Sequence, residues 1–209
     1  MPGHFEPLPG GGAAVALDDV EISILRSLAI QLLELIGPGD EPVEGEDPLA
    51  ALFAEGPTEP PSDPALARLF PDAYRGPTPA PRPPGEPGPG MTEEEIRAAS
   101  SEFRRYTEND LRAGKRANAL AVVRALDGLE PGGDSAAVLK LPHDQCRYWL
   151  GALNDLRLTI GTRLEVSDED DAGETGLYRL PDDDPRKPMV MAYLWLGVLQ
   201  ETLVETLLP

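Results

Sequence analysis

The side chains able to do chemistry in this sequence are few. There is one cysteine, Cys146, and there are two histidines, His4 and His143. Zinc or general acid–base chemistry would have to use these or carboxylates alone. His143 and Cys146 stand three apart at a helix start and could offer two ligands from one face, but two ligands do not close a zinc site. Nine acidic residues against the single Arg179 crowd Glu165 to Asp184, a collection of oxygens suited to calcium. Taken as an EF-hand loop from Asp168, the sixth position is the required Gly173, but the twelfth is Arg179 where a bidentate Glu is needed. The stretch therefore reads as a solvated acidic loop between two helices. Glu201 and Glu205 share a helix face without the Glu-x-x-His partners of a di-metal carboxylate bundle. Nucleophile elbow, phosphate loop and paired-histidine motifs are all missing, and Gly10-Gly11-Gly12 lacks the Lys and Ser or Thr of a phosphate cradle. The expectation is a non-enzymatic chain with no metal or cofactor.

Two features carry possible function. A thiol in the first turn of a helix, beside Arg147, feels the positive end of the helix dipole and gains thiolate character, which makes Cys146 a candidate redox residue. The competing reading is a small core residue on the same side as Trp149 and Leu150. The second feature is positive charge. On a helical wheel Arg97, Arg104, Arg105, Arg112, Lys115 and Arg116 fall within an arc of about 120°. From Arg104 to Arg124 there are six basic and two acidic residues. This stripe is either a surface for an acidic protein partner or a solvated face pairing with the chain's own carboxylates. Read as exposed charges, Arg104, Arg112 and Lys115 should matter little to stability.

Composition sets the frame. The chain has 209 residues, with 18 Lys plus Arg against 37 Asp plus Glu and a formal net charge of -19. Such a field repels phosphate polymers and anionic lipid, so DNA is expected to be met only indirectly, through a partner, and no membrane is expected. One cysteine excludes an internal disulfide. Met1 to Pro9 has neither the basic nor the apolar region of a secretory signal, so the expected location is cytoplasmic. Met189 to Leu208 is the most apolar stretch, but Gln200, Glu201 and Glu205 in its second half favour a core helix over a membrane span.

The elements that must position these residues follow from local signals. Phe5 to Leu17 reads as a hairpin around Gly10-Gly11-Gly12, with Asp18 or Asp19 capping a helix that Gly37-Pro38-Gly39 stops. Asp63-Pro64 opens a short helix ending near Phe70-Pro71. Residues 76–90 hold seven Pro and four Gly among fifteen positions and read as a disordered spacer. Thr92 with Glu95 makes a capping box, and Thr107 with Asp110 imitates a second, leaving one long helix or two to about Leu126. Ala137 to Leu141 reads as a strand able to pair with the hairpin. A helix follows Pro142 with the apolar line Trp149, Leu153, Leu156, Ile160 and Leu164. The last helix starts at Asp184-Pro185 and is apolar nearly all round to Leu199, which places it in a bundle centre or a homodimer interface. The fold class is mainly α, a bundle of about four to six helices with a small antiparallel sheet of hairpin plus one strand. It is expected to be one domain, with 1–75 and 91–209 its two parts and 76–90 an insertion.

Three segments carry a family resemblance: Asp63-Pro64-Ala65-Leu66-Ala67-Arg68-Leu69-Phe70-Pro71-Asp72-Ala73-Tyr74-Arg75, then Leu153-Asn154-Asp155-Leu156-Arg157-Leu158, then Tyr193-Leu194-Trp195-Leu196-Gly197-Val198-Leu199-Gln200-Glu201. Together they resemble the AosR-like proteins of actinobacteria, catalogued as a domain of unknown function and associated with oxidative-stress transcriptional regulation. The resemblance implies a regulator that works with a sigma factor or RNA polymerase to raise expression of cysteine-biosynthesis genes. Alternatives are an adaptor module in protein turnover or sulfur metabolism and, more distantly, a carboxylate-based hydrolase. Asn154, Asp155 and Arg157 sit between core leucines, where an Asp–Arg pair could lock one helix onto another. With Cys146 as the one thiol, redox sensing needs a mixed disulfide with a small thiol or a second chain, or is not direct.

Overall fold

Three of the helices begin where a side chain can serve the free backbone N–H groups of a first turn. Asp18 accepts from Glu21 N at 2.8 Å while Glu21 reaches back to Asp18 N, a complete capping box. Asp63 accepts from Ala65 N and Leu66 N ahead of Pro64, and Thr92 exchanges the same reciprocal bonds with Glu95. A computed structural model of the chain describes residues 3–38, 56–74, 92–129, 136–166 and 180–208. Among them are three strands, β1 (Glu6–Pro7), β2 (Ala13–Leu17) and β3 (Ala137–Leu141), and five helices, α1 (Asp19–Ile36), α2 (Pro64–Leu69), α3 (Glu93–Asp127), α4 (His143–Arg163) and α5 (Lys187–Leu207). The chain is mainly α with a small antiparallel sheet, the class that periodicity and turn signals predict. The spacer reading of 76–90 and the Asp168 to Arg179 loop lie outside the described residues.

Two compact units divide the chain. One comprises Met1–Pro38 with Gly114–Pro209, the other Gly39–Ala113, so α3 contributes its first part to one and its last part to the other. In the larger unit the sheet order is β1-β2-β3, antiparallel throughout, with Pro7 opposite Ala13 and Ala13 in turn opposite Leu141. Gly12 makes this possible. Its φ is +97°, and a Cβ there would lie 2.3 Å from the Leu141 carbonyl oxygen. Alternate residues of β2, Ala13, Val15 and Leu17, are buried. Behind the sheet, α1 and α5 both pack along α4. Leu25, Leu32, Trp149, Leu153, Leu199 and Leu203 are all buried, and Phe5 sits edge-on to the Trp149 ring at 6.1 Å.

In the smaller unit α2 lies against the first part of α3. Gly56 N donates to the Arg105 carbonyl at 2.8 Å, and Ser100 Oγ both accepts from Tyr74 N and donates to Tyr74 O.

One alternative left open by the sequence is settled and one expectation is corrected. α3 is one helix that runs without a break past Thr107, where Thr107 Oγ1 donates to the Phe103 carbonyl at 2.8 Å and does not cap a new helix. α5 begins at Lys187 and not at Asp184, since Asp184 is spent on a turn, accepting from Arg186 N at 2.8 Å through its side chain and from Lys187 N through its carbonyl. Among the described residues no helix is long and apolar enough to cross a membrane.

Candidate functional site

The basic stripe of α3 is the largest concentration of predicted functional residues, and an unbroken helix keeps its members in phase. Within the smaller unit Arg104 is 4% exposed. Its guanidinium bonds Glu108, the Phe70 carbonyl at 3.0 Å and Asp72 at 2.9 Å. Burial works against its charge, and the bonds to Asp72 and Glu108 more than restore it, so its pKa is raised. Glu108, itself only 2% exposed, is also gripped from the next turn by Arg112, whose Nε and Nη2 reach one carboxylate oxygen at 2.9 and 2.7 Å. The Arg112 guanidinium lies 4.5 Å from the centre of the Phe70 ring. Arg105 lies over the Tyr106 ring at 5.5 Å, and Arg97 is exposed.

Within the larger unit Lys115 Nζ bonds Asp155 at 2.6 Å. Arg116 reaches the Leu33 carbonyl at 3.4 Å and that of Gly37. Arg104 and Arg116 thus do the same job: each donates to carbonyls at a helix C-terminus, α2 for Arg104 and α1 for Arg116. No basic residue occupies the last turn of α1, so Arg116 supplies the missing positive charge from α3. The reading of Arg104, Arg112 and Lys115 as exposed charges is therefore corrected. Their partners are Glu108 four residues away and side chains or carbonyls remote in sequence, which periodicity does not display.

Asn154, Asp155 and Arg157 diverge because neighbouring helix positions point about 100° apart. Asp155 turns to α3 and pairs with Lys115, and not with an arginine as predicted. Burial pushes its carboxyl pKa up, with the Lys115 bond and charge pulling the other way. One turn before it, the Asn118 amide lies over Gly151, where a Cβ would come within 2.4 Å of the amide nitrogen. Arg157 turns to α5, donating to Gln200 Oε1 at 2.7 Å and stacking 5.2 Å from the Tyr193 ring centre, while Gln200 Nε2 reaches Asn154 at 3.5 Å. Sequence reasoning missed Lys115 as the partner of Asp155 and Gln200 as that of Arg157.

Cys146 lies in the first turns of α4 with no exposed surface, its Sγ directed at the Leu141 carbonyl 3.7 Å away. Burial pushes the thiol pKa up, opposite to the thiolate character that a dipole argument predicts, and Asp144 adds to the rise. Desolvation outweighs the helix end here. His143 is exposed while Cys146 is buried, so the two do not converge, and among the described residues no group of three or more His, Cys, Asp or Glu side chains is placed to hold a metal ion.

A model of the family described as a domain of unknown function, DUF2017, matches residues 3–207. The chain belongs to the DUF2017 family. This DUF2017 chain is 31% identical over 190 residues to proteins named oxidative stress regulator AosR from Mycobacterium tuberculosis and Mycobacterium bovis, the match covering 90% of this chain and 78% of each relative. No solved structure matches it. The segments that carry the resemblance in this DUF2017 chain hold helix ends and helix contacts. They include the Asp63 cap and Phe70 carbonyl of α2, the Asp155 and Arg157 contacts of α4, and Tyr193, Gly197 and Gln200 of α5.

Proposed function

We propose that this DUF2017 chain is a cytoplasmic, non-enzymatic oxidative-stress regulator that acts through protein contacts. The observation carrying the reading is its similarity, over nearly its whole length, to proteins named oxidative stress regulators. The polar side chains support it. The most deeply buried of them tie helices together, as Arg104 does through the Phe70 carbonyl and Lys115 through Asp155. The partner would be a sigma factor or RNA polymerase and the target genes those of cysteine biosynthesis, as the family resemblance implies, with promoter DNA reached through that partner. A net charge of -19 accords with indirect DNA contact. The buried thiol of Cys146 argues that the oxidant is read by the partner or upstream, and only its consequence is relayed here.

The test is affinity capture of the tagged chain from oxidant-treated and untreated cells. Recovery of a sigma factor or polymerase subunits, increased by oxidant, is expected. Recovery of protease or biosynthetic subunits alone would replace this reading with an adaptor.

A further inference from the structure

The inward face of α5 is occupied: Val190, Leu196, Leu199 and Leu203 are buried. Its outward face is not. Met191 is 55% exposed and Val198 42%, and Glu201 and Glu205 are exposed one helical turn apart. Neither of these carboxylates has an ion-pair partner among the described residues, whereas the buried Glu108 and Asp155 are each answered by a cation. A groove of about 710 Å³ runs along this face, with Arg157 of α4 in its wall and Glu201 and Glu205 towards its C-terminal end. Exposed apolar side chains gathered on one helix face beside a groove mark a contact surface, as scattered ones do not.

The groove is graded in charge. The Arg157 guanidinium lies over Gly197, donates to Gln200 Oε1 at 2.7 Å and stacks on the Tyr193 ring, so its positive charge is fixed in the wall. At about 1.5 Å of rise per residue, Glu201 stands about 6 Å beyond Gly197 along the axis and Glu205 about 12 Å. The N-terminal half of the face is thus apolar, through Met191, Leu194 and Val198, and the C-terminal half is anionic. Residues 191, 194, 198, 201 and 205 alternate steps of three and four, which keeps them on one stripe.

We propose that this groove receives a basic amphipathic helix of a partner protein. Its apolar residues sit against Leu194 and Val198, and two of its arginine or lysine side chains, one turn apart, meet Glu201 and Glu205. A helix matches the stripe because its own side chains recur at the same steps. Arg157 repels a cation at the level of Gly197, so the basic end of the occupant lies towards the C-terminus of α5. The inference rests on the reading above for there being a protein partner, and it names the surface that meets it. The stripe of α3 does not serve, since Arg104, Arg112, Lys115 and Arg116 are engaged within the chain.

A net charge of -19 draws any basic peptide weakly, and the test separates that attraction from docking. The probes are two blocked, fluorescein-labelled helical peptides of alanine and glutamine, with leucine at i and i+4 and arginine at i+7 and i+11 in one and the reverse order in the other. Versions with glutamate for arginine are the controls. Fluorescence anisotropy with the full chain at physiological salt should give a Kd on the order of 10 μM for an arginine peptide and no saturation for the glutamate ones. Glu201→Gln with Glu205→Gln should raise Kd at least about tenfold, whereas Glu93→Gln with Glu94→Gln, which removes the same charge from an exposed site on α3, should raise it less than about twofold. Val198→Glu makes the chain more acidic and strengthens general attraction, yet it should raise Kd at least about tenfold. No binding of either arginine peptide, equal effects of the two glutamine pairs, or unchanged or tighter binding to Val198→Glu would each overturn the assignment. In cells, Val198→Glu should lose the partner that the parent chain captures. A partner kept at the parental level would overturn the groove and leave the regulatory reading intact, whereas a parent chain that captures no partner, with the peptide results as expected, would overturn that reading and support the groove.

Discussion

Lys115 of α3 and Asp155 of α4 form an ion pair of 2.6 Å in which the carboxylate is 3% exposed and the ammonium 19%. Neither charge is comfortable without the other. Removing the lysine leaves a buried carboxylate without its counter-ion, at a cost towards the lower end of roughly 3–5 kcal/mol, because Lys115 retains some solvent. Lys115→Met should therefore destabilise strongly in urea unfolding, and Lys115→Met with Asp155→Leu should recover most of that loss. An additive double variant would show that the pair is not coupled.

Asp155 also sets a pH signature. Its folded-state pKa is raised above the ordinary 3.8, so between the two values the folded chain binds more protons than the unfolded one. Its contribution to stability then falls as pH rises through that window and is level above it. Glu95 has the opposite sign. Its pKa is lowered, first by the Thr92 backbone bond, so its contribution is present above the unfolded value and is lost as pH falls through the folded one. Stability measured against pH for Asp155→Asn and Glu95→Gln, each subtracted from the parent, should give curves of opposite slope.

The Arg104, Glu108 and Arg112 cluster predicts that reversing charge at Arg104 is a folding defect. Arg104→Glu sets a second carboxylate against buried Glu108 and leaves the Phe70 carbonyl unserved, so it should cost at least roughly 3 kcal/mol. Arg97→Glu, on an exposed site, should stay within about 0.5 kcal/mol. Thermal melts of the two variants decide between this and a freely solvated stripe.

Cys146 should be silent in the native protein. A thiol-specific chromogenic reagent should react only as fast as the chain opens, and Cys146→Ala should leave the oxidant response in cells unchanged. Rapid labelling of folded protein would restore the thiol to the list of sensors.

One continuous helix belongs to both compact units, and we expect them to unfold together. Tryptophan fluorescence reports only the larger unit, through Trp149 and Trp195, whereas far-ultraviolet circular dichroism reports helices of both. Coincident denaturant midpoints are expected, and two separated transitions would mean two domains.

What sequence displays well is whatever is decided within a few residues. The Asp18 and Thr92 caps, the glycine turn before β2 and the apolar line of α4 are all local, and the elements follow from them. The same locality misleads at Thr107, where the spacing of a capping box occurs inside a helix and the hydroxyl turns back to Phe103. It fails altogether for the stripe. Nothing near Arg116 announces the Gly37 carbonyl, and nothing near Lys115 announces Asp155, because those partners are chosen by helix packing. Cys146 shows the balance of terms: a dipole is a local feature, whereas the desolvation that overrides it comes from the surrounding core.

The sheet carries a consequence for synthesis. β2 is the middle strand, and its partner β3 lies about 120 residues further along the chain. At roughly 5–20 residues per second, the ribosome keeps that edge of β2 waiting on the order of ten seconds, during which an apolar strand presents open backbone groups to other nascent chains. A chaperone that dwells on the first forty residues, or a hairpin held at the exit tunnel, would therefore govern yield more than the finished protein's stability does.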